Sequence, residues 1–265
     1  MSLPDALLLG IVEGLTEFVP VSSTGHLILI GRLLGLRGPA VDAYSVVIQL
    51  GALLAALVYY RQVFVELLRG VWRRQPDSLR LLRNLILASL PLLSLGYLFG
   101  KLIKARLFQP STVVLALLFG GLLMLAVEWL QQRRPPSASQ PSQLPWRGAL
   151  ITGLVQALSL WPGTSRSMAC IVGAQLAGLP RAAAADFAFL LALPTLGTAT
   201  LYELLKHGHE LSSSVGVGPL VLGLVVSFAV GWLVIAAFLR YLRRFGLWPF
   251  ALYRIALALL LLWLL

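Results

Sequence analysis

Long apolar stretches, separated by short polar connections, run along most of this 265-residue chain. A transmembrane helix needs about 20 apolar residues, and six stretches reach or approach that length. They lie at about 43–60, 82–100, 112–130, 183–205, 219–239 and 249–265. The pattern predicts an all-α polytopic membrane protein with six transmembrane helices.

Two further apolar regions, about 3–36 and 148–178, are interrupted near their middles by Pro, Gly, Ser and Thr. Each half of these regions is too short to span a bilayer. Backbone that is not helical is tolerated at membrane depth where protein or water satisfies it. We therefore predict that each region is a re-entrant helix–loop–helix hairpin.

The two hairpins begin similar halves of the chain. GIVEGLT from Gly10 aligns with GLVQALS from Gly153, and after one gap PVSST from Pro20 aligns with PGTSR from Pro162. One hairpin and three spans per half would invert the second copy. Inverted repeats place their functional site where the broken helices meet.

These features predict a single integral membrane domain over 1–265. Its repeat halves cover about 1–130 and 148–265. The segment between them, about 131–147, contains a Ser-, Pro- and Gln-rich run over 135–145. Such a composition predicts a flexible linker, which we place in the cytoplasm.

Composition agrees with a membrane protein, because 58% of residues are hydrophobic and only 12% are charged. The net charge is +11, and most of the basic residues lie between the apolar stretches. This placement favours loops that determine membrane topology over nucleic-acid binding. The single cysteine, Cys170, excludes an intrachain disulfide and a thiolate cluster, and is expected to be a small buried apolar residue. The start of the chain lacks a basic region, and Glu13 and Glu17 lie in its first apolar stretch, which argues against a cleavable signal peptide.

Loop charges predict the orientation. With six spans and two hairpins, thirteen arginines fall on one side of the membrane and six basic residues on the other. The first set is Arg61, Arg69, Arg73, Arg74, Arg80, Arg83, Arg133, Arg134, Arg147, Arg181, Arg240, Arg243 and Arg244. The second set is Arg32, Arg37, Lys101, Lys104, Arg106 and Lys206. The positive-inside rule places the first set in the cytoplasm, so both termini lie outside.

Two acids in the first hairpin are candidates for chemistry. Glu13 and Glu17 are four residues apart, so a helix places them on one face. Together they are suited to a hard divalent cation, Mg²⁺ or Ca²⁺, that leaves positions for water and a substrate phosphate. One carboxylate is alternatively a proton acceptor for a hydroxyl or water. The structural alternative is a helix-terminal pair that faces water.

The run that follows these acids contains Ser22, Ser23, Thr24 and His26. A hydroxyl at this position caps the second helix of the hairpin, and a helix N-terminus is also a phosphate-binding site. His26 is a candidate base, acid or nucleophile for phosphoryl transfer. The alternative for His26 is a hydrogen-bonded packing residue.

The second hairpin adds an arginine. Arg166 stands between Ser165 and Ser167, just after the backbone breakers Pro162 and Gly163. A guanidinium binds phosphate bidentately and stabilises charge on its oxygens during transfer. We take Arg166 as the one arginine at mid-membrane depth without an acidic neighbour in sequence, and an ion pair with Glu13 or Glu17 is its structural alternative.

The remaining polar and aromatic positions predict structural roles. Asp42 and Asp186 are expected to favour helix starts, and His207 and His209 to be solvated in an outside loop. Residues at span ends are expected to be interfacial anchors. These are Glu128, Trp129, Trp248 and Trp263.

The chain resembles the bacterial undecaprenyl-pyrophosphate phosphatase family, whose members confer bacitracin resistance. The resemblance rests on Glu13-x-x-x-Glu17, on the run from Pro20 to His26, and on Pro162-Gly-Thr-Ser-Arg166-Ser. It implies an integral hydrolase of the bacterial plasma membrane that removes the terminal phosphate from C55 isoprenyl pyrophosphate and regenerates the carrier for peptidoglycan synthesis. It also implies a divalent-metal requirement and a site facing the outside, which agrees with a first hairpin entering from there.

Carried over by motif position, the catalytic residues implied are Glu13, Glu17, Ser23, His26 and Arg166. The supporting, substrate-binding residues are Ser22, Thr24, Ser165 and Ser167. The family pattern usually continues Ser-Gly-x-Thr after the arginine, whereas this chain has Ser167-Met168-Ala169-Cys170. A thiol thus replaces a hydroxyl, and Met168 is expected to crowd the pocket.

We favour Ser23 as the nucleophile, activated by His26 or Glu17, with His26 as the rival nucleophile. A lipid-phosphate flippase is the alternative function, because inverted repeats with broken helices are also a transporter architecture. The expected partners are the isoprenyl pyrophosphate and membrane lipids, without nucleic acid. The oligomeric state stays open, with a homodimer as one alternative.

Overall fold

The structure, a computed structural model, describes residues 1–36, 38–107, 109–133 and 135–264, apart from the side chains at 104, 110, 203, 207–213 and 264. The described residues form eleven α-helices and two short 3₁₀ turns, and no strand. The helices are α1 (Leu3–Thr16), α2 (Ser23–Leu33), α3 (Pro39–Tyr59), α4 (Arg61–Trp72), α5 (Pro76–Leu107), α6 (Pro110–Arg133), α7 (Trp146–Ala157), α8 (Arg166–Leu176), α9 (Arg181–Ser214), α10 (Val217–Leu242) and α11 (Trp248–Leu264). The turns are Pro141–Gln143 and Leu158–Leu160.

Five helices in the described part of the chain are long and apolar enough to cross a membrane: α3, α5, α6, α9 and α10. They coincide with five of the six predicted spans. The sixth predicted span coincides with α11, which is apolar but has only 17 residues. The all-α polytopic class is therefore confirmed, while the count of six spans stays a prediction.

Both interrupted regions form two short helices joined by a break, α1 with α2 and α7 with α8. The first break runs from the end of α1 to Ser22, and the second from the end of α7 to Ser165. Ser22 and Ser165 have positive φ angles of 76° and 73°, and each side chain caps the helix that follows. The backbone therefore turns sharply where proline and glycine interrupt the apolar pattern, as predicted.

The first helix of each broken region packs on a long helix of the other half of the chain. A Cβ at Gly10 of α1 would lie 2.9 Å from the Gly223 carbonyl of α10, and one at Gly153 of α7 would lie 2.6 Å from the Ala88 carbonyl of α5. Glycine thus lets each hairpin helix approach the backbone of a long helix. Across the halves, α3 packs on α9 and α6 on α11.

The capping serines also correct the alignment of the repeat. Ser22 and Ser165 are separated by the same number of residues as Gly10 and Gly153. The repeat therefore needs no gap, and the predicted gap is wrong. In the corrected register, Gly163 is the counterpart of Pro20.

The predicted linker, 135–145, has defined contacts with the helices. The Asn84 side chain of α5 donates hydrogen bonds to the carbonyls of Leu144 (2.7 Å) and Pro141 (3.3 Å). The Ser137 amide donates to the Gly178 carbonyl at 3.0 Å. Leu144 is 1% exposed, so the segment packs on the helical body and contributes to its core.

Side-chain contacts join the helix ends that carry the larger set of arginines. Tyr60, just after α3, donates a hydrogen bond to Asp186 of α9 (2.7 Å), and Arg181 of α9 forms an ion pair with Glu128 of α6. Asp186 lies beyond the first turn of α9, so its predicted role at a helix start is wrong. Glu128 is buried and also accepts from the Leu247 amide, so it is not an interfacial anchor.

Other predictions have mixed outcomes. Asp42 lies in the first turn of α3, as predicted. The connection after α3, treated as a loop, contains helix α4. The predicted loop with His207 and His209 belongs to α9, and the side chains of both histidines lie outside the described part. Arg37 and Arg134 are not among the described residues, and the Lys104 side chain is not described.

Candidate active site

The two breaks meet at the carboxylate of Glu17. Ser23 Oγ, at the start of α2 just after the first break, donates to Glu17 Oε2 at 2.5 Å. Arg166 Nη2, at the start of α8 just after the second break, donates to Glu17 Oε1 at 3.0 Å. The Glu17 side chain is 5% exposed and that of Arg166 12%, so their ion pair is buried. Three predicted site residues are thus brought together, and the structural alternative for Arg166, pairing with Glu17, is also present.

Several buried polar atoms beside this ion pair have no hydrogen-bond partner among the described residues. They are both carboxylate oxygens of Glu13, Nε and Nη1 of Arg166, and Oγ1 of Thr164. Glu13 is fully buried one helical turn before Glu17. An unpaired buried polar group costs about 1–3 kcal/mol, and native structures keep such groups mainly for ions, water or ligands. The unpaired groups therefore indicate a ligand site. Sequence reasoning did not select Thr164, whose unpaired hydroxyl belongs to the second break.

His26 is fixed through both ring nitrogens. Its Nδ1 lies 2.8 Å from the Ser22 carbonyl, which only accepts, so Nδ1 carries the proton. Its Nε2 lies 2.7 Å from the Tyr253 hydroxyl and, in the neutral ring, accepts from it. The two rings also stack, with centroids 5.7 Å apart. The ring nitrogens of His26 have no hydrogen bond to Ser23.

The supporting hydroxyls mostly bind backbone. Ser22 Oγ accepts from the Gly25 amide (3.3 Å), and Ser165 Oγ accepts from the Met168 amide (3.2 Å). Ser167 Oγ donates to the Val19 carbonyl at 3.1 Å and thereby links the two breaks, and it lies 3.0 Å from Ser165 Oγ. The half-buried Thr24 has no side-chain partner among the described residues. Ser22, Ser165 and Ser167 therefore fix the backbone at the two breaks, and each hydroxyl keeps lone pairs that are free to accept.

Arg254 of α11 is a second buried arginine at the breaks. It is fully buried and donates to the carbonyls of Pro20 (3.3 Å) and Gly163 (2.9 Å). The prediction that Arg166 is the one arginine at this depth is therefore wrong. Its charge inside the apolar stretch 249–265 is a sequence signal that could have identified Arg254 as a residue of the site. Tyr253, which binds His26, has no comparable signal in the sequence.

An open groove of about 510 Å³ begins beside His26. Its walls are almost entirely apolar and come from the first hairpin and the start of α11. The lining residues are Val12, Leu15, Thr16, Val19, Val21, His26, Ile30, Pro249, Phe250 and Tyr253. A groove of this kind is suited to a hydrocarbon chain whose polar end lies at the breaks.

Comparison with known proteins agrees with the motifs. Residues 6–260 match the family model described as "Bacitracin resistance protein BacA". The chain belongs to this family. A relative from Sorangium cellulosum, "Undecaprenyl-diphosphatase", is 56% identical over 98% of this chain and 85% of its own. Relatives with the same name from Methylococcus capsulatus and Novosphingobium aromaticivorans are 46% and 47% identical, over 97% and 95% of this chain and 93% of each of theirs.

The departures from the usual BacA-family pattern lie behind the site. Met168 is fully buried, its methyl group lies toward Gly120 of α6, and it is not among the residues that line the groove. The Cys170 thiol donates to Oε1 of Gln156, the repeat counterpart of Glu13. Cys170 is therefore buried as predicted, but it has a hydrogen bond and is more than an apolar packing residue.

The donor set at Glu13 fits a divalent cation. Carboxylate oxygens are the ligands that Mg²⁺ and Ca²⁺ prefer, and both oxygens of Glu13 are buried and unpaired. Within the described residues, no group of three or more His, Cys, Asp or Glu side chains is placed to hold a metal. An ion at Glu13 would thus complete its coordination with Glu17, water or a ligand.

Proposed function

We propose that this protein hydrolyses undecaprenyl pyrophosphate to undecaprenyl phosphate and inorganic phosphate. This reaction recycles the lipid carrier for peptidoglycan synthesis and confers resistance to bacitracin. The proposal rests on one observation above all: the two breaks place a hydroxyl and a guanidinium on the same buried carboxylate, Glu17. The name shared by the relatives, "Undecaprenyl-diphosphatase", supports it.

In the proposed reaction, Ser23 Oγ attacks the terminal phosphorus and its proton passes to Glu17, 2.5 Å away. The bond between this phosphorus and the bridging oxygen breaks, and the isoprenyl monophosphate leaves with the bonding electron pair. Water then cleaves the phosphoserine, releases inorganic phosphate and restores the Ser23 hydroxyl. The unpaired Nε and Nη1 of Arg166 neutralise the phosphate oxygens as charge develops.

The geometry favours Glu17 over His26 as the base for Ser23. His26 Nε2 is occupied by the Tyr253 hydroxyl, and this bond would have to break before His26 acted as a nucleophile. In the proposed mechanism, His26 keeps its bond to the Tyr253 hydroxyl, and this pair orients the leaving phosphate at the mouth of the groove.

Glu13 and Glu17 would hold the divalent cation, Mg²⁺ or Ca²⁺. When bound, the cation supplies positive charge for the pyrophosphate oxygens. The proposal is supported by the buried oxygens of Glu13, which have no hydrogen-bond partner among the described residues. The groove beside His26 would hold the part of the isoprenyl chain nearest the phosphates, while the remainder lies in lipid.

The proposed membrane topology completes this proposal. Six spans and two re-entrant hairpins form an inverted repeat in the bacterial plasma membrane, with the site and both termini facing outside. The excess of arginines on one side of the predicted topology supports this orientation. The contacts from Tyr60 to Asp186 and from Arg181 to Glu128 lie between helix ends that the topology assigns to this arginine-rich side. Labelling of cysteines placed at the termini of a Cys170→Ala variant tests the topology, and light scattering in detergent tests for a homodimer.

A lipid-phosphate flippase, the alternative function, has no support from the comparisons. Such a protein would use Arg166 and the hydroxyls but would not need a nucleophile. Replacement of Ser23 by alanine should then spare transport, whereas it should abolish phosphate release by a hydrolase.

The test is phosphate release from C55 and C15 isoprenyl pyrophosphates by purified protein, with EDTA, Mg²⁺ or Ca²⁺. We expect metal-dependent release that falls at least about 100-fold in Ser23→Ala and Glu17→Gln. In Arg166→Lys it should fall roughly 100- to 1,000-fold. Ser94→Ala is the matched control, because this serine bonds only to backbone on the same helix, α5. Absence of release by folded wild-type protein would refute the proposal, and release retained by Ser23→Ala would refute this nucleophile.

A further inference from the structure

Arg254 connects three parts of the molecule through backbone carbonyls. Its Nη1 donates to Pro20 in the first break, and its Nη2 to Gly163 in the second. Its Nη2 and Nε also donate to Ala116 (3.1 Å) and Leu117 (3.3 Å) of α6. Pro20 and Gly163 are repeat counterparts, so one side chain binds equivalent points of both breaks.

These bonds indicate what Arg254 does and what it does not do. A guanidinium has five N–H donors, and four bonds to carbonyls leave little capacity for a phosphate. Arg254 forms no ion pair with an acidic side chain among the described residues. Carbonyls in a break have lost their helical partners and need a donor at membrane depth. Arg254 therefore supplies hydrogen-bond donors to the carbonyls of the two breaks and is not a ligand of the substrate.

We propose that Arg254 is a positioning residue that ties the two breaks together and thereby sets Ser23 and Arg166 at their distances from Glu17. The ion pair of Arg166 with Glu17 and the bond from Ser167 to Val19 cross the same boundary. Each of these bonds requires the breaks to stay in register, and Arg254 is the described side chain that binds the backbone of both.

Two variants remove this connection in different ways. Arg254→Lys keeps the charge, but a single ammonium lacks the planar fork that reaches both carbonyls. Gly120→Ala keeps the arginine, but the added Cβ would overlap Arg254 Nη2. The matched controls are Arg240→Lys, an exposed arginine of α10, and Gly100→Ala, whose Cβ would have no neighbour within 4 Å.

The first measurement is hydrogen–deuterium exchange of the detergent-solubilised variants, which does not depend on activity. For Arg254→Lys and Gly120→Ala, we expect faster exchange in peptides covering 18–25 and 161–168 together, with α10 unchanged. The two controls should exchange like the wild type. Faster exchange throughout the protein, or in only one break, would overturn the proposal, because Arg254 would then support the whole fold or a single hairpin.

The second measurement is kinetic and rests on the proposed function. A displacement of catalytic groups by about 1 Å is expected to lower kcat roughly 10- to 100-fold with KM changed less than about 3-fold. Arg166→Lys should then have at least a 5-fold smaller effect in the Arg254→Lys background, because the breaks are already misaligned. Multiplicative effects of the two substitutions would overturn the positioning role. If the wild type releases no phosphate, the proposed function fails, while exchange still decides whether Arg254 ties the breaks.

Discussion

Replacement of Glu13 by methionine should stabilise the metal-free protein and abolish its activity. Both oxygens of Glu13 are buried without a partner, and Glu17 lies one turn away on the same helix. Methionine has a similar length and no polar atom, so the substitution removes the cost of two unpaired acceptors. That cost is about 1–3 kcal/mol, and an apparent Tm changes by roughly 2–4 °C per kcal/mol in chains of about this size. We expect an apparent Tm higher by about 2–12 °C in EDTA.

The assay is thermal unfolding in detergent, with EDTA and with Mg²⁺ or Ca²⁺. A cation at Glu13 should raise the apparent Tm of the wild type and leave that of Glu13→Met unchanged. Added metal should therefore narrow the difference in Tm between the two proteins. Glu128→Met is the matched control, because Glu128 is also buried but is paired with Arg181 and the Leu247 amide. It should lose about 1–3 kcal/mol. An unchanged or lower Tm of Glu13→Met in EDTA, or equal stabilisation of both proteins by metal, would refute the reasoning.

Three further substitutions test other contacts. Tyr253→Phe removes the hydroxyl that binds His26 Nε2 but keeps the stacked ring. A lost hydrogen bond of about 0.5–1.5 kcal/mol predicts a fall in kcat of roughly 2- to 12-fold, and an unchanged kcat would show that this bond does not orient His26. Cys170→Thr restores the usual family residue and keeps a donor to Gln156, so phosphate release within about 2-fold of wild type is expected, and a large gain would contradict the placement of Cys170 behind the site. Gly163→Ala places a Cβ 2.5 Å from the Val113 carbonyl, at a residue whose φ is +95°. We expect the apparent Tm of Gly163→Ala to fall by several degrees and that of Gly100→Ala to stay at the wild-type value. Equal Tm values for the two variants would contradict the close approach of Gly163 to Val113.

Local signals in the sequence were sufficient for much of the site. Glu13 and Glu17 were selected because charge is costly in an apolar stretch and because their spacing places them on one helical face. Ser22 and Ser165 were recognisable as hydroxyls after a break, and both cap the following helix. These features depend on neighbours within one or two helical turns, which are visible in a linear chain.

The contacts between the halves were not predictable in this way. Arg166 and Glu17 are 149 residues apart, and His26 and Tyr253 are 227 apart. The alignment had a gap because proline, the most visible feature of each break, is not at equivalent positions in the two halves; cap geometry fixed the register. Glu128 looked like an anchor at a span end until its pairing with Arg181 was seen.

The sequence by itself determined the helical membrane class, the two broken regions and the residue types at the site, because hydropathy and backbone propensity are properties of short segments. Only the tertiary structure decided which of those residues share a hydrogen bond, because helix packing selects partners from distant parts of the chain. Arg254 illustrates the difference. Its charge in an apolar stretch signals a buried partner, but its binding of both breaks follows only from the packing of α11 against α6.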